Sequence, residues 1–123
     1  MSKTIRILQT ALSVAMLVLS LGMIGAMPAA ADDASIAEGK KVAFDRKKGN
    51  CLACHMMSDG ALPGNIGPPL IAMKARFPDR QKLRDQIHDA TIANPNTIMP
   101  PFGKHGILTP EEVEKVTDFV HSL

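Results

Sequence analysis

Aromatic side chains are nearly absent from this sequence. Its 123 residues include no tryptophan, no tyrosine and only four phenylalanines. Because nucleic-acid bases stack on aromatic rings, a chain with so few rings offers them no platform, and we expect no nucleic-acid partner. A domain of this length is also marginal on its own core. We therefore expect a bound group that adds the apolar bulk that the side chains do not supply.

Cysteine is equally scarce, and its placement is the strongest signal in the chain. Cys51 and Cys54 are the only two cysteines, and His55 follows directly. A CxxCH run is the attachment pattern of a c-type haem, in which each thiol adds to a vinyl group and the histidine binds iron. The sequence therefore predicts one covalent haem c on Cys51 and Cys54, with His55 as the fifth iron ligand.

Other uses of the two cysteines fit the sequence less well. A disulfide between them would close a loop too small to stabilise the fold much. A thioredoxin-like redox pair is expected beside a βαβ pattern, and the sequence shows no convincing strand. A zinc site needs two further ligands, and the remaining histidines lack the usual paired spacing.

The first 31 residues resemble an export signal. Lys3 and Arg6 precede an apolar stretch over residues 7–27, and Ala29-Ala30-Ala31 offers small residues for cleavage. We expect residues 1–31 to be a signal peptide cleaved near Ala31, leaving a cytochrome domain of residues 32–123 in the periplasm without stable membrane insertion. An uncleaved membrane anchor is the alternative, because roughly 20 apolar residues span a bilayer.

Charge gives no sign of a strongly basic or acidic partner. The full chain carries 14 basic and 12 acidic residues, and two of the basic ones lie in the predicted signal. The remaining domain is therefore near neutral. Arg46, Lys47 and Lys48 form a basic cluster beside the CxxCH motif, for which a solvated face and a docking role are both open.

Two capping boxes predict the terminal helices. Ser35-Ile36-Ala37-Glu38 predicts a first helix from about Ile36 to Arg46. Gly39 within it is expected to allow another helix to cross closely, and the alternative is that it merely weakens the helix. Thr109-Pro110-Glu111-Glu112 predicts a last helix with proline at its first position. The apolar stripe of that last helix consists of Val113, Val116, Val120 and Leu123, with Phe119 at its margin.

Two further helices are expected between them. Pro68 or Pro69 can open a short helix that must stop near Phe77, because a proline follows. Asp79 predicts the N-cap of a longer helix, which Asn94-Pro95 ends. The chain is thus predicted to be all-α, with short helices joined by loops.

The loop over residues 94–108 is expected to be functional. Loops of this length without secondary structure are usually functional or disordered, and its apolar residues argue against disorder. The iron needs a sixth ligand opposite His55, and the thioether of Met99 is predicted to supply it. The two prolines after Met99 restrict the backbone and reduce the entropy lost on ordering the loop.

Other candidates for the sixth ligand are less suitable. Met56 and Met57 are tethered to the His55 face and should not reach round the porphyrin. Met73 lies in a helical stripe, where a core role is expected. His105, also in the loop, is the remaining rival, with a propionate or surface role as the alternative.

Together these features resemble the monohaem cytochrome c fold, an all-α arrangement of short helices and loops wrapped around a covalently attached haem. That resemblance implies that the Pro68 carbonyl accepts a hydrogen bond from the His55 ring, and that the terminal helices cross near Gly39 and Phe119. Seven positions separate Phe44 from the CxxCH motif, more than in the commonest cytochromes c, which leaves the register of the first helix open.

A narrower resemblance is to the SoxX family, the small cytochromes of the sulfur-oxidising SoxAX complex. The matching stretches are GNCLACH at 49–55, IGPPL at 66–70, FPDR at 77–80 and MPPFGKHGILT at 99–109. The family implies the electron-accepting subunit of a heterodimeric L-cysteine S-thiosulfotransferase. Its partner would be a SoxA-like cytochrome, which joins thiosulfate oxidatively to a cysteine of the SoxYZ carrier, and a downstream cytochrome would take the electrons. We expect no sulfur chemistry and no catalytic residue on this chain itself.

Two other functions remain as alternatives. One is a free periplasmic cytochrome c that shuttles electrons to an oxidase or reductase. The other is a haem enzyme or gas sensor with an open iron position, against which a ligand at Met99 argues. A stable stoichiometric partner would separate the first alternative from the SoxX-like function.

Overall fold

The computed structural model describes residues 32–123, which contain four α-helices and no β-strand. The helices are α1 (Asp33–Phe44), α2 (Met73–Arg76), α3 (Arg80–His88) and α4 (Pro110–Ser122), and a 3-10 turn covers Cys51–Ala53. The expected all-α fold is confirmed. The predicted signal peptide lies outside the described residues, and none of the helices within them is long and apolar enough to cross a membrane.

Helix α1 begins three residues earlier than the sequence predicted. Its N-cap is Asp32, whose carboxylate accepts the backbone N–H of Ser35 at 2.6 Å. The predicted capping box at Ser35 is therefore wrong, because the hydroxyl of Ser35 donates instead to Asp118 in α4 at 2.6 Å. The helix also ends at Phe44 rather than near Arg46, since the following turn folds back on it.

Helices α1 and α4 cross in close contact at Gly39. A Cβ atom added to Gly39 would lie 1.9 Å from the carbonyl oxygen of Lys115 and 3.0 Å from the Cβ of Phe119. The rings of Phe44 and Phe119 meet edge to face beside this crossing, with centroids 5.8 Å apart. The expected crossing near Gly39 and Phe119 is thus confirmed, and it depends on the missing side chain.

The short helix α2 starts later than expected. The prediction that Pro68 or Pro69 opens it is wrong, because residues 68–72 are not helical and this segment is hydrogen-bonded to the CxxCH region. Leu70 donates its N–H to the carbonyl of Met56 at 2.8 Å. The predicted end near Phe77 is confirmed.

Helix α3 has the predicted cap but is shorter than predicted. The Asp79 carboxylate accepts the N–H of Gln81 at 2.9 Å, which confirms the cap. The helix ends at His88 and not at Asn94, because the carboxylate of Asp89 turns to accept both the N–H and the hydroxyl of Thr91. Side chains that compete for backbone groups in this way end helices.

Helix α4 contributes more residues to the apolar core than any other helix, namely Val113, Val116, Phe119 and Val120. Both halves of its predicted capping box, Thr109 and Glu112, are present. Phe119 was expected at the margin of the apolar stripe, but it is buried, since it packs on α1 at the crossing. The core around the helix also includes Ala43, Met57, Met73, Leu83, Ile87, Phe102 and Leu108.

Ion pairs hold α3 against the outer face of α4. Arg80 donates to Asp118 at 2.7 Å and to Glu114 at 2.9 Å, and Arg84 donates to the same Glu114 at 2.7 Å. The two guanidinium groups lower the pKa of Glu114 against the opposing effect of its partial burial. The apolar face of α3 is thereby turned inward, where Leu83 and Ile87 line the site described next.

Candidate functional site

A cavity of about 550 Å³ lies against the CxxCH motif. Its walls come from both cysteines and His55 on one side and from the 94–108 loop on the other, with Leu83 and Val116 of the helices between them. Most of the remaining wall is apolar. Cavities of 300–1,000 Å³ with apolar walls and a few fixed polar groups are typical of cofactor sites.

The CxxCH motif is folded into a tight turn that presents both thiols to the cavity. The N–H of His55 donates to the carbonyl of Cys51 at 2.9 Å, and Asn50 before the turn adopts the left-handed conformation with φ of 46°. Asparagine tolerates that conformation well. Gly64 packs on the turn so closely that an added Cβ would lie 2.0 Å from the carbonyl oxygen of Ala53.

The two cysteines are not joined by a disulfide. Burial raises the pKa of the Cys51 thiol to about 11. Reactive cysteines of redox pairs have a lowered pKa, so this environment does not support a thioredoxin-like function. Among residues 32–123 there is no cluster of three or more His, Cys, Asp or Glu side chains that could hold a metal ion.

The ring of His55 is held by the 67–68 segment. Its Nδ1 lies 2.7 Å from the carbonyl oxygen of Pro68. With Nδ1 protonated and donating to this carbonyl, Nε2 is left as the free lone pair that binds metal. Gly67 lies flat against the ring, where a Cβ would be 2.5 Å from Cε1 and 2.7 Å from Nδ1. The ligand role of His55 and the supporting role of Pro68 remain predictions, and this geometry suits both.

Of the methionines considered as iron ligands, Met99 alone lines the cavity. Met99 lines the same cavity as His55. Met73 is 1% exposed and Met57 is 2% exposed, and both pack in the core away from the cavity lining. His105 is exposed and also lies outside the lining. The structure thus brings the predicted ligands His55 and Met99 to one space and leaves their rivals outside it.

The mouth of the cavity has an apolar and basic rim. Ile66, Ile98 and Ile107 line the cavity and yet expose 64%, 76% and 41% of their surfaces. Arg46 and Lys47 also line the cavity and are exposed. We call these five residues the cavity rim. Exposed apolar side chains gathered at one opening, with charge beside them, are typical of a protein interaction surface.

Sequence reasoning did not find several residues that shape the site. It found neither the packing of Gly64 on the CxxCH turn nor that of Gly103 on the ring of His88, where a Cβ would lie 2.2 Å from Cδ2. It also missed the ion pair between Asp89 and Lys104, 2.8 Å between Oδ2 and Nζ, at the base of the 94–108 loop. A glycine in a loop often indicates that another segment packs closely on its backbone, but the sequence does not show which segment that is.

The chain is similar in sequence and fold to known proteins. Residues 34–120 match the family described as cytochrome c oxidase, cbb3-type, subunit III. The fold is similar to the crystal structure of SoxXA from P. pantotrophus, with a TM-score of 0.63 and 28% sequence identity over 70% of this chain and 79% of that one. An uncharacterized lipoprotein of Aquifex aeolicus (strain VF5) is 37% identical over 76 residues, which are 61% of this chain and 37% of that protein. The matched region thus spans little more than a third of the length of that relative.

Proposed function

Because the chain belongs to the cytochrome c family described as cytochrome c oxidase, cbb3-type, subunit III, we propose that it transfers electrons. We propose further that it is the electron-accepting, SoxX-like subunit of a thiosulfate-oxidising complex of two cytochromes. Membership in this family and the similarity to the SoxXA structure imply a covalently bound haem c. The CxxCH motif that attaches such a haem is present at Cys51, Cys54 and His55.

One observation carries the proposal: two thiols, an imidazole and a single thioether line one apolar cavity. Two thiols fit attachment to a porphyrin edge, and His55 and Met99 fit the two axial positions of iron. The bound haem supplies one-electron transfer. If His55 and Met99 both held the iron, no position on it would be open to a substrate, which is why we favour electron transfer over a haem enzyme or gas sensor.

The residues of the chain hold the cofactor and do not perform chemistry on a substrate. The Pro68 carbonyl, 2.7 Å from Nδ1 of His55, would keep the proton on that nitrogen and so hold the ring in one orientation. The loop brings Met99 to the cavity, where its N–H is fixed by the hydroxyl of Thr97 at 3.2 Å. A thioether ligand favours ferrous iron and raises the reduction potential, as an electron acceptor requires.

The cavity rim supports a protein partner for the proposed complex. Two exchanging haems must lie close, so the partner, a SoxA-like cytochrome, would cover the side where Ile66, Ile98 and Ile107 surround the opening. The sulfur transfer from thiosulfate to SoxYZ would take place on that partner, and this chain would pass its electron to a downstream cytochrome. The chain would thus act as the electron-transfer subunit of a thiosulfotransferase.

We also propose that the protein is exported and works in the periplasm, with residues 1–31 removed as a signal. The cytochrome c domain and the resemblance of residues 1–31 to an export signal support this. The intact mass of the secreted protein checks it: we expect a chain that begins near Asp32 and carries one haem that survives acid–organic extraction. A retained N-terminal segment would favour the membrane-anchor alternative.

Replacement of two methionines tests the axial ligands. We expect Met99→Ala to remove the sulfur-to-iron absorption band at about 700 nm and to lower the reduction potential. Met73→Ala is the matched control, because it removes a thioether of equal size from the core outside the cavity. Loss of the band in Met73→Ala and its survival in Met99→Ala would show that the ligand assignment is wrong.

Replacement of two isoleucines tests the partner surface. We expect Ile98→Ser at the cavity rim to weaken binding to a SoxA-like cytochrome about tenfold or more, because burying an isoleucine contributes about 1.5–3 kcal/mol. Ile92→Ser is the matched control, since Ile92 is equally exposed, at 79% against 76%, but lies away from the cavity. Equal binding of both variants would argue against the rim, and no association of the unaltered protein at micromolar concentration would favour the free-shuttle alternative.

A further inference from the structure

The loop that carries Met99 is closed at its base by backbone hydrogen bonds. On the C-terminal side, the N–H groups of Gly103 and Lys104 both donate to the carbonyl of His88, at 3.1 and 3.2 Å. On the N-terminal side, the N–H of Asn94 donates to the carbonyl of Ala90 at 3.1 Å. Both ends of the Met99 segment are therefore attached to the residues that end helix α3.

One side-chain ion pair joins the same two places. Nζ of Lys104 lies 2.8 Å from Oδ2 of Asp89, and the other carboxylate oxygen accepts the hydroxyl of Thr91 at 2.5 Å. Asp89 is only 5% exposed. A buried carboxylate depends on its cation, because removal of one partner leaves an uncompensated charge away from water.

The fit at the base of the loop leaves little space for adjustment. A Cβ atom at Gly103 would lie 2.2 Å from Cδ2 of the His88 ring. Phe102, beside it, is buried in the core, and its carbonyl accepts the N–H of Leu108 at 3.0 Å. By contrast, the backbone N–H of Met99 is held only by the hydroxyl of Thr97. The base of the loop is thus far more strongly fixed than the segment that bears the thioether.

We propose that Lys104 and Asp89 are positioning residues that keep the loop closed and thereby hold Met99 at its place in the cavity. The inference rests on the proposed function, in which Met99 is an iron ligand. A thioether is a weak ligand, so its occupancy depends on how much free energy the loop loses when it opens. The ion pair would contribute to that free energy from a distance, because neither Asp89 nor Lys104 lines the cavity.

Competition by imidazole tests the pair in the haem-bearing protein. Imidazole binds ferric iron only in molecules in which the loop is open, so its apparent affinity rises with the open fraction. We expect Lys104→Gln to raise that affinity by up to about fivefold, because the Lys104 side chain is 53% exposed and water screens the pair. Lys104→Arg, which keeps the positive charge, should restore most of the original value. Lys115→Gln is the control: it removes a lysine of helix α4 that is paired with Glu38 and Glu111 and makes no ion pair with the loop.

Two further variants separate the possible outcomes. Asp89→Asn removes the charge from the other partner and should raise imidazole affinity as well, which keeps the test available if Lys104→Gln folds poorly. Imidazole affinities of Lys104→Gln and Asp89→Asn equal to that of Lys115→Gln would overturn the positioning role while Met99→Ala still loses its absorption band. Survival of the band in Met99→Ala would instead overturn the ligand assignment and with it the inference.

Discussion

Gly67 is the residue on which the orientation of His55 depends most directly. Replacement by alanine would place a Cβ atom 2.5 Å from Cε1, 2.7 Å from Nδ1 and 3.0 Å from Nε2 of the ring. Carbon atoms in favourable contact are separated by about 3.5–4.0 Å. The ring would therefore have to move by roughly 1 Å, and its 2.7 Å contact with the Pro68 carbonyl would be lost.

These contacts determine how much Gly67→Ala lowers the free energy of unfolding. Overpacking of a tight site costs about 1–3 kcal/mol, and loss of the hydrogen bond adds about 1 kcal/mol. Replacing glycine by alanine recovers about 0.4–1 kcal/mol from the unfolded chain. We expect a net loss of about 2 kcal/mol, which lowers the melting temperature of a domain of this size by about 8–16 °C. Loss of a ligand's supporting contact should also weaken the absorption band at about 700 nm.

Thermal unfolding of the haem-bearing protein, followed by far-UV circular dichroism, measures this effect. Gly60→Ala is the matched control in the same loop, because its Cβ would meet only the flexible end of the Leu52 side chain, which can rotate away. We expect Gly60→Ala to cost less than about 1 kcal/mol. If Gly67→Ala melts at the temperature of the unaltered protein with its absorption band intact, the proposed support of His55 by this segment is wrong.

Two further predictions concern the helix crossing and the base of the loop. Gly39→Ala should destabilise the protein by about 2 kcal/mol in denaturant unfolding despite the better helix propensity of alanine, because the new Cβ would meet the backbone of Lys115; unchanged stability would contradict the close crossing. Hydrogen bonds from Lys104 and from Thr91 lower the pKa of Asp89 from its ordinary value of 3.8 to about 2. The stabilisation linked to this carboxylate is therefore complete above about pH 4 and is lost as the pH falls towards 2. Asp89→Asn should flatten the fall in unfolding free energy over that range, and an unchanged slope would show that the carboxylate does not contribute.

Local signals in the sequence predicted those helix ends that a nearby side chain fixes. Asp79 and Thr109 cap α3 and α4 as predicted, because each cap is a contact within three residues. The predicted start of α1 is wrong because two nearby residues, Asp32 and Ser35, can both act as the N-cap. Asp32 takes the cap, and the hydroxyl of Ser35 bonds to Asp118, which is distant in sequence.

The end of α3 shows a second limit of sequence reasoning. The pattern of apolar residues continues to Ala90, which is buried, so periodicity gives no reason to stop earlier. The helix nevertheless ends at His88, because the Asp89 carboxylate binds Thr91 and pairs with Lys104 across the loop. That pairing depends on the folded position of the loop, which local propensity does not determine.

The candidate site was predictable where its chemistry is local. The CxxCH spacing and the elimination of other methionines pointed to Cys51, Cys54, His55 and Met99, and the structure places all four on one cavity. The contacts that hold these groups in place were less accessible to sequence reasoning. Gly67 on the His55 ring and Gly103 on the His88 ring are approaches between separate segments, which only the folded chain brings together.

The most direct test of the proposed function is the reduction of this haem by thiosulfate in a reconstituted system. The purified chain is mixed with a SoxA-like cytochrome and the SoxYZ carrier, thiosulfate is added, and the absorbance of this haem is followed. We predict rapid reduction that requires both the partner and the carrier and that slows in the Ile98→Ser variant but not in Ile92→Ser. Reduction at the same rate without the SoxA-like cytochrome would contradict the account and identify a free electron shuttle.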